Sequence, residues 1–196
     1  PATESRGVGL SFGGVDDYAV SASNSGISGN AAVSMDFVLK TPGSWTANYP
    51  SVVTAGGVAT NVGLATTLNG GRLALDFWDN RFRAADALSV GTWYCAVVTK
   101  SPGAIATTST IYINGSAVTG ALEGSNTTPN VTNSPVTVGR LSDVAGRYLD
   151  GVVGFAAVYN RTLTASEVQR LTRTIAEGLC PTSSGRGILC QLKASL

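Results

Sequence analysis

The chain has 196 residues, of which 43% are apolar, only 13% are charged and 24 are glycine, and its formal net charge at pH 7 is +1. This composition is typical of one Gly-rich folded β domain and excludes a disordered chain. The near-zero net charge favours neither nucleic acid nor an anionic membrane as a partner. No apolar run approaches the roughly 20 residues that span a bilayer, so no membrane association is expected.

Short apolar or alternating segments recur along the chain between turn signals. In AVSMDFVLK, residues Val33, Met35, Phe37 and Leu39 alternate with their neighbours, which predicts a strand with one buried face. Strands are predicted at 8–12, 17–23, 32–40, 50–55, 61–68, 71–78, 92–99, 109–115, 135–139 and 150–159. Because Gly-Gly, Asn-Gly and Pro-Gly dipeptides lie between many of them, we expect an antiparallel β-sandwich or barrel.

One helix is predicted near the end of the chain. The stretch from Thr164 to Glu167 has the capping-box pattern, in which the two side chains bond each other's backbone amides. Val168, Leu171 and Ile175 follow at helical spacing and predict one apolar face that docks on the sheet.

The three cysteines suggest no metal site, since the chain contains no His and no Cys-x-x-Cys. Cys95 lies in an apolar strand and is expected to be a buried small hydrophobe. Cys180 and Cys190 either close a small disulfide loop in an oxidising compartment or remain two thiols.

The stretch YLDGVVGFAAVYNRTLTASEVQRL, residues 148–171, resembles the C-terminal signature of laminin-G-like, concanavalin A-like jelly-roll domains. Further segments of that family are resembled, in the same order, by LSFGGVDDYAVSA, GTWYCAVVTKS, IYINGSAVTG and VTVGRL. The resemblance therefore covers roughly residues 8–172. In IYINGSAVTG, the third of these five segments along the chain, Asn114-Gly115 suits a type I′ hairpin. The resemblance implies an all-β antiparallel sandwich with one short C-terminal capping helix. We expect an N-terminal arm at 1–7, the jelly-roll domain at 8–178 and a tail at 179–196.

The resemblance also implies calcium, bound at the rim of a sheet by carboxylates and backbone carbonyls. The candidate ligands are Asp17, Asp143 and Asp150, although Gly154 stands where the family has an acidic residue. The alternative is that Asp17 caps a turn and Asp150 forms a local backbone hydrogen bond. No other cofactor is expected.

Two stretches combine aromatic rings with amide or carboxylate groups, the chemistry that holds a sugar. The candidate residues for binding a glycan or a protein partner are Trp45, Asn48 and Tyr49 in PGSWTANYP, and Trp78, Asp79, Asn80 and Arg81 in DFWDNRFR. Trp45 could instead cover one end of the sandwich.

No catalytic site is predicted. Without His, the Ser-His and Cys-His nucleophiles are excluded, and the 12 acidic residues form no close cluster like that of the jelly-roll glucanases. The neighbouring Asp16 and Asp17 would point to opposite faces of an extended strand. We therefore expect a protein that is not an enzyme.

Two functions remain open. The first is a structural protein of a bacteriophage virion surface, a head-decoration or fibre protein that assembles with itself or with neighbouring virion proteins. It is favoured by the low charge and by an N-terminus without a visible export signal. Its contacts would lie in the arm at 1–7 and in the segment 178–196. The second is a lectin-like adhesion module, extracellular or on a cell surface, that binds carbohydrate with or without calcium.

Overall fold

Alternating apolar residues fold the chain into two antiparallel sheets that face each other across one core. The computed structural model describes residues 9–45, 49–141, 144 and 146–179. In chain order the strands are β1 Leu10–Gly13, β2 Ala19–Asn24, β3 Val33–Lys40, β4 Ser51–Thr54, β5 Ala65–Asn69, β6 Arg72–Asp76, β7 Arg81–Ala84, β8 Trp93–Lys100, β9 Ser109–Ile113, β10 Ser116–Val118, β11 Gly120–Glu123, β12 Pro135–Val138 and β13 Asp150–Tyr159. The helices are α1 Ile105–Thr108 and α2 Ala165–Leu179.

The strand order confirms the predicted antiparallel sandwich. One sheet has the order β1-β13-β3-β8-β9-β10 and the other has the order β11-β7-β6-β5-β4-β12-β2. Every pair of neighbouring strands is antiparallel. In β3, the alternate residues Val33, Met35, Phe37 and Leu39 are all at most 2% exposed and belong to the core between the sheets. The period-2 pattern therefore predicted the core face correctly. The expectation of a single buried face was wrong, because Ser34, Asp36 and Val38 on the other face are also buried.

Helix α2 begins with the predicted capping box. The Thr164 amide donates to Glu167 Oε2 at 2.9 Å, and the Glu167 amide donates to Thr164 Oγ1 at 3.3 Å. Hydrogen bonds from Arg161 and from Thr164 lower the pKa of Glu167 to about 2. Val168 and Leu171 pack on the outer face of the six-stranded sheet, as the helical spacing predicted.

Three short elements were not predicted from the sequence. Strands β7 and β11 have four residues each, and β7 carries two arginines, so neither shows the apolar run of a core strand. Helix α1 is a single turn. In contrast, the hairpin between β9 and β10 has the expected backbone, with φ of 50° at Asn114 and 81° at Gly115.

Several expectations lie outside the described residues. These are the arm at 1–7, the tail from residue 180 onward, Asn48, Asp143, and the pairing of Cys180 with Cys190. Cys95 is buried in β8, as predicted. In the part of the chain that the structure describes, neither helix has the length and apolarity of a membrane span.

Asp36 is a buried carboxyl group on the outer face of the six-stranded sheet. It pairs in register with Val97, whose side chain lies in the apolar cluster under α2, and it is 1% exposed. Its Oδ2 atom has no hydrogen-bond partner among the described residues. Burial raises the pKa of Asp36 from its ordinary 3.8 to about 7. Burial and the nearby Asp36 charge also raise the pKa of Tyr159.

Asp36 should make the protein less stable as the pH rises from about 4 to about 7. In that window the folded state keeps a proton that the unfolded state has lost, so the free energy of unfolding falls, by at most about 4 kcal/mol. Asp36→Asn removes this ionisation. We expect the variant to match the parent near pH 4.5 in urea unfolding and to exceed it at pH 8. The exposed Asp86→Asn is the control, and parallel pH profiles for Asp36→Asn and the parent would contradict the assignment.

Candidate functional site

A buried group of polar side chains lies on the outer face of the seven-stranded sheet. Asp76 and Arg81 are register partners on β6 and β7, and Arg81 in turn faces Glu123 on β11. Asp76 is 3% exposed and Arg81 is 7% exposed, although both lie on the face away from the apolar core. Charged groups so deeply buried require partners.

Asp76 has three such partners. Its Oδ2 accepts hydrogen bonds from Arg81 Nε and from Thr67 Oγ1, both at 3.1 Å, and its Oδ1 accepts one from the Trp78 amide at 2.8 Å. Burial raises the pKa of Asp76, and these three donors oppose that shift because they favour the ionised form. Asp76 therefore ties β5, β6, β7 and the β6–β7 turn together.

Arg81 extends this network to the edge strand. Its Nη1 lies 2.6 Å from Glu123 Oε1, and Glu123 Oε2 lies 2.9 Å from Arg83 Nη1. Burial lowers the pKa of Arg81, but the charges of Asp76 and Glu123 outweigh burial and the net shift is upward. The Arg81 guanidinium is thus fully charged and held between two carboxylates.

The turn between β6 and β7 has an unusual composition for its shape. Phe77 N donates to Asn80 O at 2.9 Å, and the two central residues, Trp78 and Asp79, have φ of 62° and 71°. These are the angles of a type I′ turn, whose preferred residues are Asn-Gly. A bulky residue in this left-handed region is strained by roughly 1–3 kcal/mol.

Asn80 is one of the residues that hold this turn in place. It is 5% exposed, its Nδ2 donates to Asn61 Oδ1 at 2.9 Å, and its Oδ1 accepts from the Ser125 amide at 2.6 Å. The backbone N–H of Asn61 also donates to the backbone carbonyl of Phe77 at 2.8 Å. Asn80 therefore positions its neighbours, with both ends of its amide already occupied.

Two aromatic rings meet two guanidinium groups above the buried cluster. Tyr49, with φ of 54°, has Arg81 over its ring at 4.5 Å and Arg147 at 5.5 Å, each measured from guanidinium carbon to ring centroid. Arg147 also lies 5.7 Å from the centroid of Trp78. Arg147 therefore contacts both rings, and all three side chains are half-buried.

A small pocket, with space for about one water molecule, lies beside these side chains. It is lined by Thr54, Gly57, Gly63, Leu64, Ala65, Asp76, Trp78, Asp79, Leu141 and Arg147. Asp79 is exposed, and among the described side chains its carboxylate accepts only a long hydrogen bond, 3.4 Å from Thr60. Leu141 and Arg147 come from the connection between β12 and β13. The pocket thus offers the ring of Trp78, one guanidinium and one solvent-facing carboxylate, and Tyr49 adjoins it through Arg147.

The predicted binding residues separate into two places. Trp78 and Asp79 line the pocket, whereas Tyr49 and Arg81 lie next to it, in contact with the lining residues Arg147 and Asp76. Trp45 lies at the opposite end of β6, where its ring covers Gly71. A Cβ on Gly71 would stand 2.7 Å from Trp45 Nε1, and Trp45 packs against the core. Arg147 has no local signal in the sequence, because only the fold brings its loop to Tyr49 and Trp78.

The two described metal candidates lie near each other at the start of β13. Asp17 Oδ2 accepts a hydrogen bond from the Gly13 amide at 2.9 Å, and Gly13 is the register partner of Asp150. Asp17 therefore makes the local turn bond that was its alternative role. Within residues 9–45, 49–141, 144 and 146–179, no group of three acidic, His or Cys side chains is placed to hold a metal. Calcium binding stays a prediction, and we assign no ion to this end.

The two packed sheets and the capping helix define a jelly-roll domain. Residues 12–169 match the family model of the concanavalin A-like lectin/glucanases superfamily. The chain belongs to this family, which confirms the resemblance found in the sequence.

Solved structures show the same fold at low sequence identity. A heptameric pentraxin from Limulus polyphemus is 15% identical, with a TM-score of 0.61, over 98% of this chain and 90% of that chain. Domain 4 of an extracellular arabinanase from Geobacillus stearothermophilus, in complex with arabinotriose, is 17% identical, with a TM-score of 0.62, over 87% and 79%.

A protein from Bacteroides ovatus, classed provisionally as carbohydrate-binding, is 12% identical, with a TM-score of 0.61, over 84% of this chain and 47% of that chain. A comparison with curated protein sequences finds no significant match.

Replacing Arg81 should cost much more stability than replacing its neighbour Arg83. Arg81→Met leaves Asp76 buried without its cation, which typically costs about 3–5 kcal/mol. Arg83 has 27% of its side chain exposed, and its one ion pair among the described residues is with Glu123, so Arg83→Met should cost under about 1 kcal/mol. Urea unfolding of the two variants measures the difference, and equal losses would show that Arg81 is not central to this sheet.

Glycine should stabilise the β6–β7 turn at Asp79. Asp79→Gly relieves a left-handed backbone at an exposed residue, and we expect the free energy of unfolding to rise by about 0.5–1 kcal/mol. Asp86→Gly is the matched control, since Asp86 is exposed and its φ is not positive. At Asp86, glycine only increases the conformational entropy of the unfolded chain, so the free energy of unfolding should fall by a similar amount. A loss of stability in Asp79→Gly would contradict the strain in this turn.

Proposed function

We propose that this protein is a non-catalytic carbohydrate-binding module whose binding site consists of Tyr49, Trp78, Asp79 and Arg147. The observation that carries the proposal is the pair of half-buried aromatic rings that both contact Arg147, with Trp78 and Arg147 lining the pocket. Aromatic faces stack on the C–H faces of a sugar, while a carboxylate and a guanidinium pair with its hydroxyl groups.

The backbone at both aromatic residues supports a binding role. In the tight hairpin between β9 and β10, the chain has Asn114-Gly115, the pair of residues that suits such a turn. At the β6–β7 turn it has Trp78-Asp79 instead, and Tyr49 is also in the left-handed region. Strain of this kind persists where the surrounding structure enforces it and is concentrated at functional sites.

The buried ion pairs favour binding over catalysis. Glycoside hydrolysis uses two carboxyl groups that flank the scissile bond. Of the two acidic residues that line the pocket, Asp76 is 3% exposed and bonded to Arg81, Thr67 and Trp78. That leaves Asp79 as the carboxylate that can reach a sugar from this lining.

The family and the similar structures are consistent with this proposal. The matching model describes lectins and glucanases, and one similar domain is in complex with arabinotriose. We place the protein at a surface, extracellular or on a cell, where such a module would meet glycans. The heptamer of the similar pentraxin also supports the expected assembly of several copies.

A bacteriophage decoration role is a finer hypothesis that remains a prediction. Its expected contacts, the arm at 1–7 and the segment 178–196, lie almost entirely outside the described residues. The mass of the native assembly tests it directly. A fixed number of copies on a large particle would support decoration, whereas a free monomer or small oligomer would contradict it.

Removing either aromatic ring should weaken glycan binding without unfolding the protein. We expect the wild type to be retained by members of a glycan array, and Trp78→Ala and Tyr49→Ala to lose at least about tenfold in affinity, since stacked rings contribute strongly to binding. Tyr18→Ala is a matched control, because Tyr18 is also stacked by an arginine, Arg140 at 3.7 Å, and neither of these two residues lines the pocket. Full binding by Trp78→Ala and Tyr49→Ala would refute this site.

A further inference from the structure

Three arginines line the outer face of the seven-stranded sheet near the pocket, and they differ in how their charge is neutralised. Arg81 lies 3.1 Å from Asp76 and 2.6 Å from Glu123, and Arg83 lies 2.9 Å from Glu123. Arg147 takes part in none of the ion pairs among the described residues, and its guanidinium donates none of their hydrogen bonds.

The contacts of Arg147 hold its guanidinium at the pocket and leave its donors available. Tyr49 and Trp78 approach it at 5.5 and 5.7 Å from their ring centroids. A ring that packs over a guanidinium contacts its face, whereas the N–H groups point outward in the plane. These donors form the planar fork that pairs with a carboxylate, sulfate or phosphate through two parallel hydrogen bonds.

We propose that the ligand of this site is an acidic sugar, with its anionic group bound by Arg147 and its hydroxyl groups bound by Asp79. This inference rests on the proposed function and names its substrate class. A neutral sugar would leave the half-buried Arg147 charge without a counter-charge once water is displaced, which disfavours binding. An acidic sugar neutralises that charge, and the exposed Asp79 accepts from hydroxyl groups elsewhere on the same ring.

The Asp79 carboxylate also limits which anions fit. A compact anion such as free phosphate has no hydroxyl-bearing ring that could reach both Arg147 and Asp79, and it would be repelled by the carboxylate. A sugar carries the two kinds of group several ångströms apart. The site therefore favours an acidic sugar over the isolated anion.

The test uses pairs of oligosaccharides that share a shape and differ in charge. The pairs are oligogalacturonate with its methyl ester, sialyllactose with lactose, and a sulfated galactoside with its unsulfated parent. Affinities are measured by calorimetry for the wild type, Arg147→Gln, Arg147→Lys and the control Arg83→Gln. Free phosphate and acetate serve as competitors, and unfolding curves establish that each variant is folded.

We expect the wild type to prefer the acidic member of at least one pair by about tenfold or more, with a preference that declines as salt rises. Arg147→Gln should bind both members of that pair equally, Arg147→Lys should keep part of the preference, and Arg83→Gln should keep all of it. The pair that shows the preference identifies whether the protein recognises a carboxylate or a sulfate.

The outcomes separate this inference from the proposed function. Binding of neutral and acidic members with equal affinity by the wild type would overturn the inference and leave the carbohydrate-binding proposal standing. Retention of no sugar at all would overturn the proposed function itself. A preference that survives in folded Arg147→Gln, or equal competition by free phosphate, would show that Arg147 does not recognise an acidic sugar.

Discussion

The outer face of the seven-stranded sheet depends on the hydrogen bonds and the ion pair that the buried carboxylate of Asp76 makes. This carboxylate bonds Thr67 on β5, Arg81 on β7 and the amide of Trp78 in the intervening turn. Through Arg81 it is linked to Glu123 on the edge strand and to the ring of Tyr49. Each of these groups is costly to bury alone, and together they satisfy one another. The aromatic rings of the site are positioned by this cluster.

This arrangement explains how the protein sustains a strained turn. The Trp78 amide is bonded to Asp76, and Asn80 on the other side of the turn is fixed to Asn61 and Ser125. The turn is therefore held at both ends by buried hydrogen bonds, whose combined contribution can exceed the strain of a left-handed Trp. A stabilising glycine at Asp79 would relieve part of that strain but would remove the exposed carboxylate from the pocket. Stability and the proposed function are in conflict at this position.

The fold could be predicted from the sequence more completely than the site, and for a physical reason. Alternation within β3, the Asn-Gly hairpin at Asn114 and the capping box at Thr164 are local signals, each contained within a few residues. The site is built from contacts between segments far apart in the chain, such as Tyr49 with Arg147. Trp78 and Asp79 could be identified because ring and carboxylate are adjacent. Arg147 could not, and Trp45, which carries the same local signal, packs against Gly71 instead.

The two outer faces of the sandwich show different ways to bury a carboxylate, and the difference bears on where a ligand can bind. On the six-stranded sheet, Asp36 lies beside the apolar cluster under α2 and has a pKa of about 7. The packing on this face is therefore most stable when Asp36 is neutral. On the seven-stranded sheet, Asp76 is neutralised by a cation, and the chain that covers it contributes Tyr49 and Arg147 in place of an apolar helix. Where α2 packs against β8 and β10, it leaves no surface for a ligand. A face closed by charged and aromatic side chains keeps polar donors at its surface, and a sugar binds to such groups.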